Sequence, residues 1–159
     1  MCDNTINKIY QMLCWDSPET IQRQGIELAK KLPDLTPLIL PLFEGCKSVW
    51  ENCAKALSEL PDDRLEEYLP LLLEWFEDLN WPGALIIIER LKVFSGEKLK
   101  KPFVHFVSRA ASLHNEEGMM WLDYLSELLD NQELKEALPN ETLEMLEKHY
   151  HNWGWWYDE

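Results

Sequence analysis

Glu74, Glu77 and Asp78 stand at i, i+3 and i+4. A helix would carry all three carboxylates on one face, the arrangement that acid–base chemistry or a divalent cation uses. A solvated charged face opposite Leu72 and Phe76 accounts for the same spacing, and no histidine or glycine-rich loop nearby completes a constellation. The four histidines, His105, His114, His149 and His151, form no HExxH pair, and His149-x-His151 does not place both rings on one helical face. Nucleotide and nucleophile motifs such as GxGxxG and GxSxG are absent. Cys2, Cys14, Cys46 and Cys53 have neither the density nor the spacing of a disulfide framework or zinc site, which fits reduced thiols. No catalytic residue, cofactor or metal is expected, and the chain reads as a non-enzyme.

Recognition is the remaining use for these residues. Trp81, in the interruption Asn80-Trp81-Pro82-Gly83, can either staple two helices together or project as an anchor for a partner. Trp50 and Trp75 fall on apolar stripes and are expected in the core. The candidate partner-binding set is therefore Glu74, Glu77, Asp78, Asn80 and Trp81. The formal charge is −14, from 15 basic and 29 acidic residues. Phosphate binding needs clustered Lys and Arg, so neither nucleic acid nor an anionic membrane is an expected partner, whereas a basic protein is. Residues 91–110 form a basic island, with 5 basic residues against 1 acidic, between acidic flanks. Lys92, Lys98, Lys100, Lys101 and Arg109 are expected mainly to pair with those flanks. A small nucleic-acid patch is the minor alternative.

These residues must be positioned by helices. With eight tryptophans, only six glycines and 46% hydrophobic residues in 159, the composition favours one all-α domain spanning residues 1–159. Ile6, Ile9, Tyr10 and Leu13 predict a first helix. Ser17-Pro18 predicts the capped start of a second, with Ile21, Gly25, Leu28, Ala29 and Leu32 as its buried stripe. Residues 33–45 hold three prolines and predict a turn, then a two-turn helix on Leu38, Ile39, Leu42 and Phe43. Cys46 to Leu60 is a longer helix on Val49, Trp50, Cys53, Ala54 and Leu57. Residues 62–79 and 84–91 form the helices on either side of Trp81, the second apolar nearly all round and expected to be covered on several sides. Leu99 to Ala110 is a helix kinked or restarted at Pro102, Asn115 caps another, Gln132 to Leu138 is a short turn, and Asn140 caps the last. Trp153, Trp155, Trp156 and Tyr157 are expected to seal the final pair or form an exposed patch. The N-terminus MCDNTINKIY lacks the form of a signal peptide, and no apolar run approaches the ~20 residues of a membrane span. A cytoplasmic monomer or weak dimer, with no membrane partner, is the expectation.

The helices come in pairs with a shared outline. A proline follows or interrupts leucines and aromatics at Pro41, Pro70 and Pro102, and the second helices share the spacing Gly25-Ala29-Leu32, Trp50-Ala54-Leu57 and Ala84-Ile88-Leu91. The offsets bracket the period of stacked helical repeats, while an irregular bundle with coincident leucines is the alternative. The proline-containing first helix, Asp78 near the turn and the small-apolar spacing resemble a degenerate HEAT repeat. More narrowly, LLEWFxDxNWPxA at Leu72 to Ala84, with SVWENCAKxL at Ser48 to Leu57, resembles the hallmark of small HEAT-like bacterial proteins of unknown function. The resemblance covers residues 46–95 and implies an α-solenoid of about four to five antiparallel helix pairs. It also implies an interaction or immunity-type role, binding and silencing a toxin, and no catalytic residue. Read with the charge, the expected function is a non-catalytic protein-binding module, with a basic nuclease-type toxin as a fitting partner. The alternatives are a HEAT-like DNA-processing enzyme of the glycosylase type, with Asp78 and Trp81 in its roles by analogy, and a regulatory or structural subunit.

Overall fold

The computed structural model describes the backbone of residues 2–153 and the side chains of residues 4–149. Every regular element among them is helical. The α-helices in chain order are α1 (Cys2–Leu13), α2 (Glu19–Ala29), α3 (Lys47–Ser58), α4 (Asp62–Leu65), α5 (Leu69–Glu74), α6 (Ala84–Lys92), α7 (Gly96–Ser112), α8 (Glu116–Ser126), α9 (Gln132–Ala137) and α10 (Asn140–Trp153). Two compact units divide them. The first takes the chain as far as Tyr68 and adds Leu79–Ile87; the second is Leu69–Asp78 with the chain from Ile88 onward. None of the helices is long and apolar enough to cross a membrane, among the described residues. The side chains of the aromatic group Trp153, Trp155, Trp156 and Tyr157 lie outside those residues.

In the first unit α1 packs on α2, and both pack on α3. Ile9 and Leu13 of α1, and Val49, Trp50, Cys53, Ala54 and Leu57 of α3, are buried as their spacing requires. The stripe of α2 is rotated from the expected one. Gly25, Ile26 and Ala29 are buried, whereas Leu28 is 41% exposed. The cause is close approach at Gly25, where a Cβ would meet the Met12 Cβ at 2.8 Å and the Leu13 side chain at 3.2 Å. Gly25→Ala should therefore lower stability by about 1 kcal/mol, overpacking outweighing the helix propensity gained. Urea unfolding measures it, and a stabilised variant would show that α1 and α2 tolerate separation.

Two expectations for this unit fail locally. Ser17 does not cap α2; its hydroxyl donates to the Gln11 carbonyl at 2.7 Å, and Pro18 occupies the N-cap. No two-turn helix forms on Leu38 to Phe43. A 3-10 turn, Thr36–Leu38, is followed by irregular chain in which Leu40 has φ +47° and Leu42 is 87% exposed. Pro37 and Pro41 each lack the N–H a helix would use, and a proline disfavours helical geometry in the residue before it. Buried Asn52 ties the helices together, donating to the Leu13 carbonyl at 2.7 Å and to Gln22 Oε1 at 2.9 Å. At the surface Arg23 bridges Glu27 and Glu59, and Lys30 joins Glu59 at 3.2 Å, which pushes the Glu59 carboxyl down to about 2.

In the second unit α7 is the hub, packing on α5, α8 and α9. It runs unbroken from Gly96 through Pro102, so no restart occurs there. Ser95 caps it, accepting from the Lys98 N–H, and buried Leu99, Phe103, Phe106 and Val107 offset the hydrogen bond that proline removes. Asn115 caps α8 as expected, accepting from the Gly118 N–H at 2.8 Å. Asn140 instead opens α10 as its first residue, after Pro139. The stretch around Trp81 departs from two full helices. Pro61 to Glu77 breaks into α4, a 3-10 turn, α5 and a second 3-10 turn, Trp75–Glu77, with Asp78 extended. Pro82 lies in the turn, two residues before α6. The face of α6 bearing Ala84, Ile87, Ile88 and Leu91 is buried, but Leu85 is 63% exposed, so the helix is covered on one side only.

Candidate interaction surfaces

The carboxylates of the second unit owe their placement to the 3-10 turn. Tightening at Trp75–Glu77 drives Trp75 and Phe76 fully into the core and leaves Glu74 half-buried and Glu77 exposed beside them. Asp78, with φ −149° and ψ 108°, has left the helical path. The expected trio on one helical face is thus a pair. The turn packs against α8, which brings in Glu117 and Arg109. Partial desolvation raises the Glu77 carboxyl above its ordinary range, Glu74 and Glu117 raise it further, and Arg109 opposes them. Arg109 itself lies 5.6 Å from the Trp121 ring and 5.9 Å from that of Phe106, two rings set edge to face at 5.5 Å. Its stem and guanidinium are held by aromatic contact, so its charge stays fixed beside the carboxylates. Glu117 and Arg109 are 40 and 32 residues along the chain from Glu77, and no local spacing could have associated them.

Asn80 and Trp81 belong to the first unit. Asn80 is exposed; Trp81 is half-buried, its ring 5.6 Å from that of Trp50 at 72°. Trp50 in turn donates from Nε1 to the Pro41 carbonyl at 2.9 Å. Trp81 is therefore stapled to α3 through an edge-to-face pair. Gly83, at φ +86°, supplies the left-handed step that starts α6, and the Ala84 N–H returns to the Trp81 carbonyl at 3.1 Å.

A larger surface feature of the first unit lies in the proline-rich segment. Tyr10 stacks on Phe43 with ring centroids 4.8 Å apart and donates its hydroxyl to the Pro37 carbonyl at 2.6 Å. Burial, and then Cys53, push that hydroxyl up to about 12, so it stays a donor. These contacts tie the segment to α1, the Trp50 bond to Pro41 ties it to α3, and with Leu40 and Gly45 left-handed a groove of about 740 Å³ remains beside it. The exposed Leu42 and Phe43 line it, and Glu44 is the one charged side chain lining it among the described residues. The three prolines of residues 33–45 were the available signal.

Among the described residues no group of three His, Cys, Asp or Glu side chains is placed to hold a metal ion. Residues 50–152 match the model of a family described as Domain of unknown function (DUF5071). The Glu74–Glu77–Glu117 cluster and Trp81 lie within the matched span, while the groove, from Asn7 to Val49, lies before it. No curated protein and no solved structure matches the chain.

Proposed function

The chain belongs to the DUF5071 family, a domain of unknown function, and from that footing we propose that it is a non-catalytic protein-binding module whose partner is basic. The observation that carries the reading is the convergence of Glu74 and Glu117 on Glu77, in a chain of formal charge −14. Glu77 is destabilised in its charged form by partial burial first, and then by Glu74 and Glu117. A lysine or arginine brought to it by a partner relieves that repulsion, so association recovers energy that folding gave up. A HEAT-like pairing of the helices is supported by the burial of Trp50-Ala54-Leu57, of Ala84-Ile88-Leu91, and of Gly25 and Ala29, with Leu32 half-buried. The partner class that suits an acidic face of this kind is a nuclease-type toxin, whose cationic substrate site carboxylates engage as phosphate would. That makes an immunity role the specific form of the proposal.

The test is Glu77→Gln, read in two ways. A carboxyl whose folded pKa is raised favours the fold below its unfolded pKa, and this contribution is lost as pH rises through the folded pKa. The variant should thus be more stable than the parent at pH 7 and match it near pH 3, as followed by urea unfolding. Binding should move the other way. Affinity for the basic protein that co-purifies stoichiometrically from the native cell should fall about fivefold, chiefly in association rate, with reduced salt dependence. A stoichiometric partner that is acidic, or salt-sensitive affinity for duplex DNA, would overturn the proposal.

A further inference from the structure

We propose that the second unit also carries a pocket for a small oxyanion, a carboxylate or phosphate on a compact apolar body. The cavity is about 260 Å³ and lies where the end of α7 and the start of α8 meet α10. That is below the roughly 300–1,000 Å³ of sites for drug-sized ligands, so its occupant has few atoms. The walls are apolar, from residues such as Ala110, Met119 and Met145, and the polar side chains lining it are His114, Asn115, Lys148 and His149. All four can donate hydrogen bonds, and among the described residues no carboxylate lines the cavity. In a chain with nearly twice as many acidic as basic residues, that selection of donors points to an anion.

Two of the donors, His114 and Lys148, are not engaged elsewhere. Among the described residues neither His114 nor Lys148 has a hydrogen-bond or ion-pair partner, although Glu144 stands one turn from Lys148. Asn115 accepts the Gly118 N–H at its Oδ1, which leaves its amide NH2 for the cavity. His149 is held in place by Asp123, 2.7 Å from Nε2, and its side chain is only 8% exposed. An oriented imidazole lining a pocket is preorganised for a ligand.

His114 supplies an independent observation. It follows Leu113, the C-cap of α7, and has φ +50°. Glycine is the residue that adopts this conformation without penalty after a helix. A histidine there sacrifices stability and lines the cavity, the pattern of strain retained at a binding site.

Titration of the 15N-labelled full-length protein with sodium phosphate, and separately with sodium acetate, at ionic strength held constant with sodium chloride, tests the site. Saturable amide shifts centred on His114, Asn115, Lys148 and His149 are expected. Whichever anion binds more tightly names the ligand chemistry. His114→Gly should unfold at higher urea yet bind the anion about tenfold more weakly, and Lys148→Gln should weaken binding to a similar degree with stability unchanged. A solely structural His114 would predict the first change without the second. Shifts that fail to saturate, shifts centred on Lys98, Lys100 and Lys101 instead, or variants that bind as tightly as the parent would overturn the proposal.

Discussion

Asn131→Ala should destabilise the protein by about 4 kcal/mol, the largest expected effect of any single side-chain truncation at a polar position. Asn131 is buried at the start of α9 and satisfies three backbone groups at once. Its amide nitrogen donates to the carbonyls of Leu91 at 3.0 Å, in the last turn of α6, and Phe94 at 2.8 Å, just beyond it, and its oxygen accepts the Leu134 N–H at 3.0 Å, in the first turn of α9. Alanine removes an N-cap worth about 1 kcal/mol and leaves two carbonyls that water does not reach without rearrangement. Asn131→Asp separates the two contributions. It preserves the acceptor for Leu134 but faces the two carbonyls with a carboxylate oxygen, so it should be no better than alanine. Urea unfolding of all three proteins is the measurement; an aspartate variant near parental stability would mean that the cap matters and the carbonyl bonds do not.

Gly96→Ala should cost about 3 kcal/mol, against the usual benefit of alanine within a helix. Gly96 is the first residue of α7, and a Cβ there would press on the backbone of Glu133 and Leu134, with the Leu134 Cα at 2.7 Å. The obstacle is main chain rather than a flexible side-chain tip, so α9 as a whole must move. Because Asn131 anchors the same end of α9, the two substitutions share one cause and should combine to less than the sum of their effects. Full additivity in a double mutant would show that α9 is held at two independent points.

Most helices of this fold were legible from spacing because a helix buried on one side repeats its apolar residues at three and four positions, a local property of the chain. Val49, Trp50, Cys53, Ala54 and Leu57 on α3, and Leu99, Phe103, Phe106 and Val107 on α7, were read correctly for that reason. The misreadings lie where neighbours decide. Leu28 and Leu42 have the composition of core residues and are exposed, because Gly25 fixes the rotation of α2 and the prolines lift residues 39–43 off a helical path. Ser17 has the chemistry of an N-cap, yet its hydroxyl found the Gln11 carbonyl instead. Asn52 and Asn131 gave no sign of their importance, since the acceptors of their amide NH2 groups are 30 to 40 residues away.

Charge and residue type, which need no folding to be known, determined by themselves that the chain is acidic, helical and poor in catalytic motifs, and placed Glu74 and Glu77 within reach of each other. Tertiary structure alone decided what surrounds them. It separated Asp78 from the pair by ending the helix at Glu77, brought Glu117 and Arg109 to it from α8 and α7, and set Trp81 against Trp50. It also gathered His114, Lys148 and His149, two histidines far apart in the chain and a lysine, around one cavity. The physical reason is the same in each case. Spacing along a helix fixes neighbours within two turns, whereas the electrostatics of a carboxylate or an imidazole depend on every charge within a Debye length, and packing chooses those from anywhere in the chain.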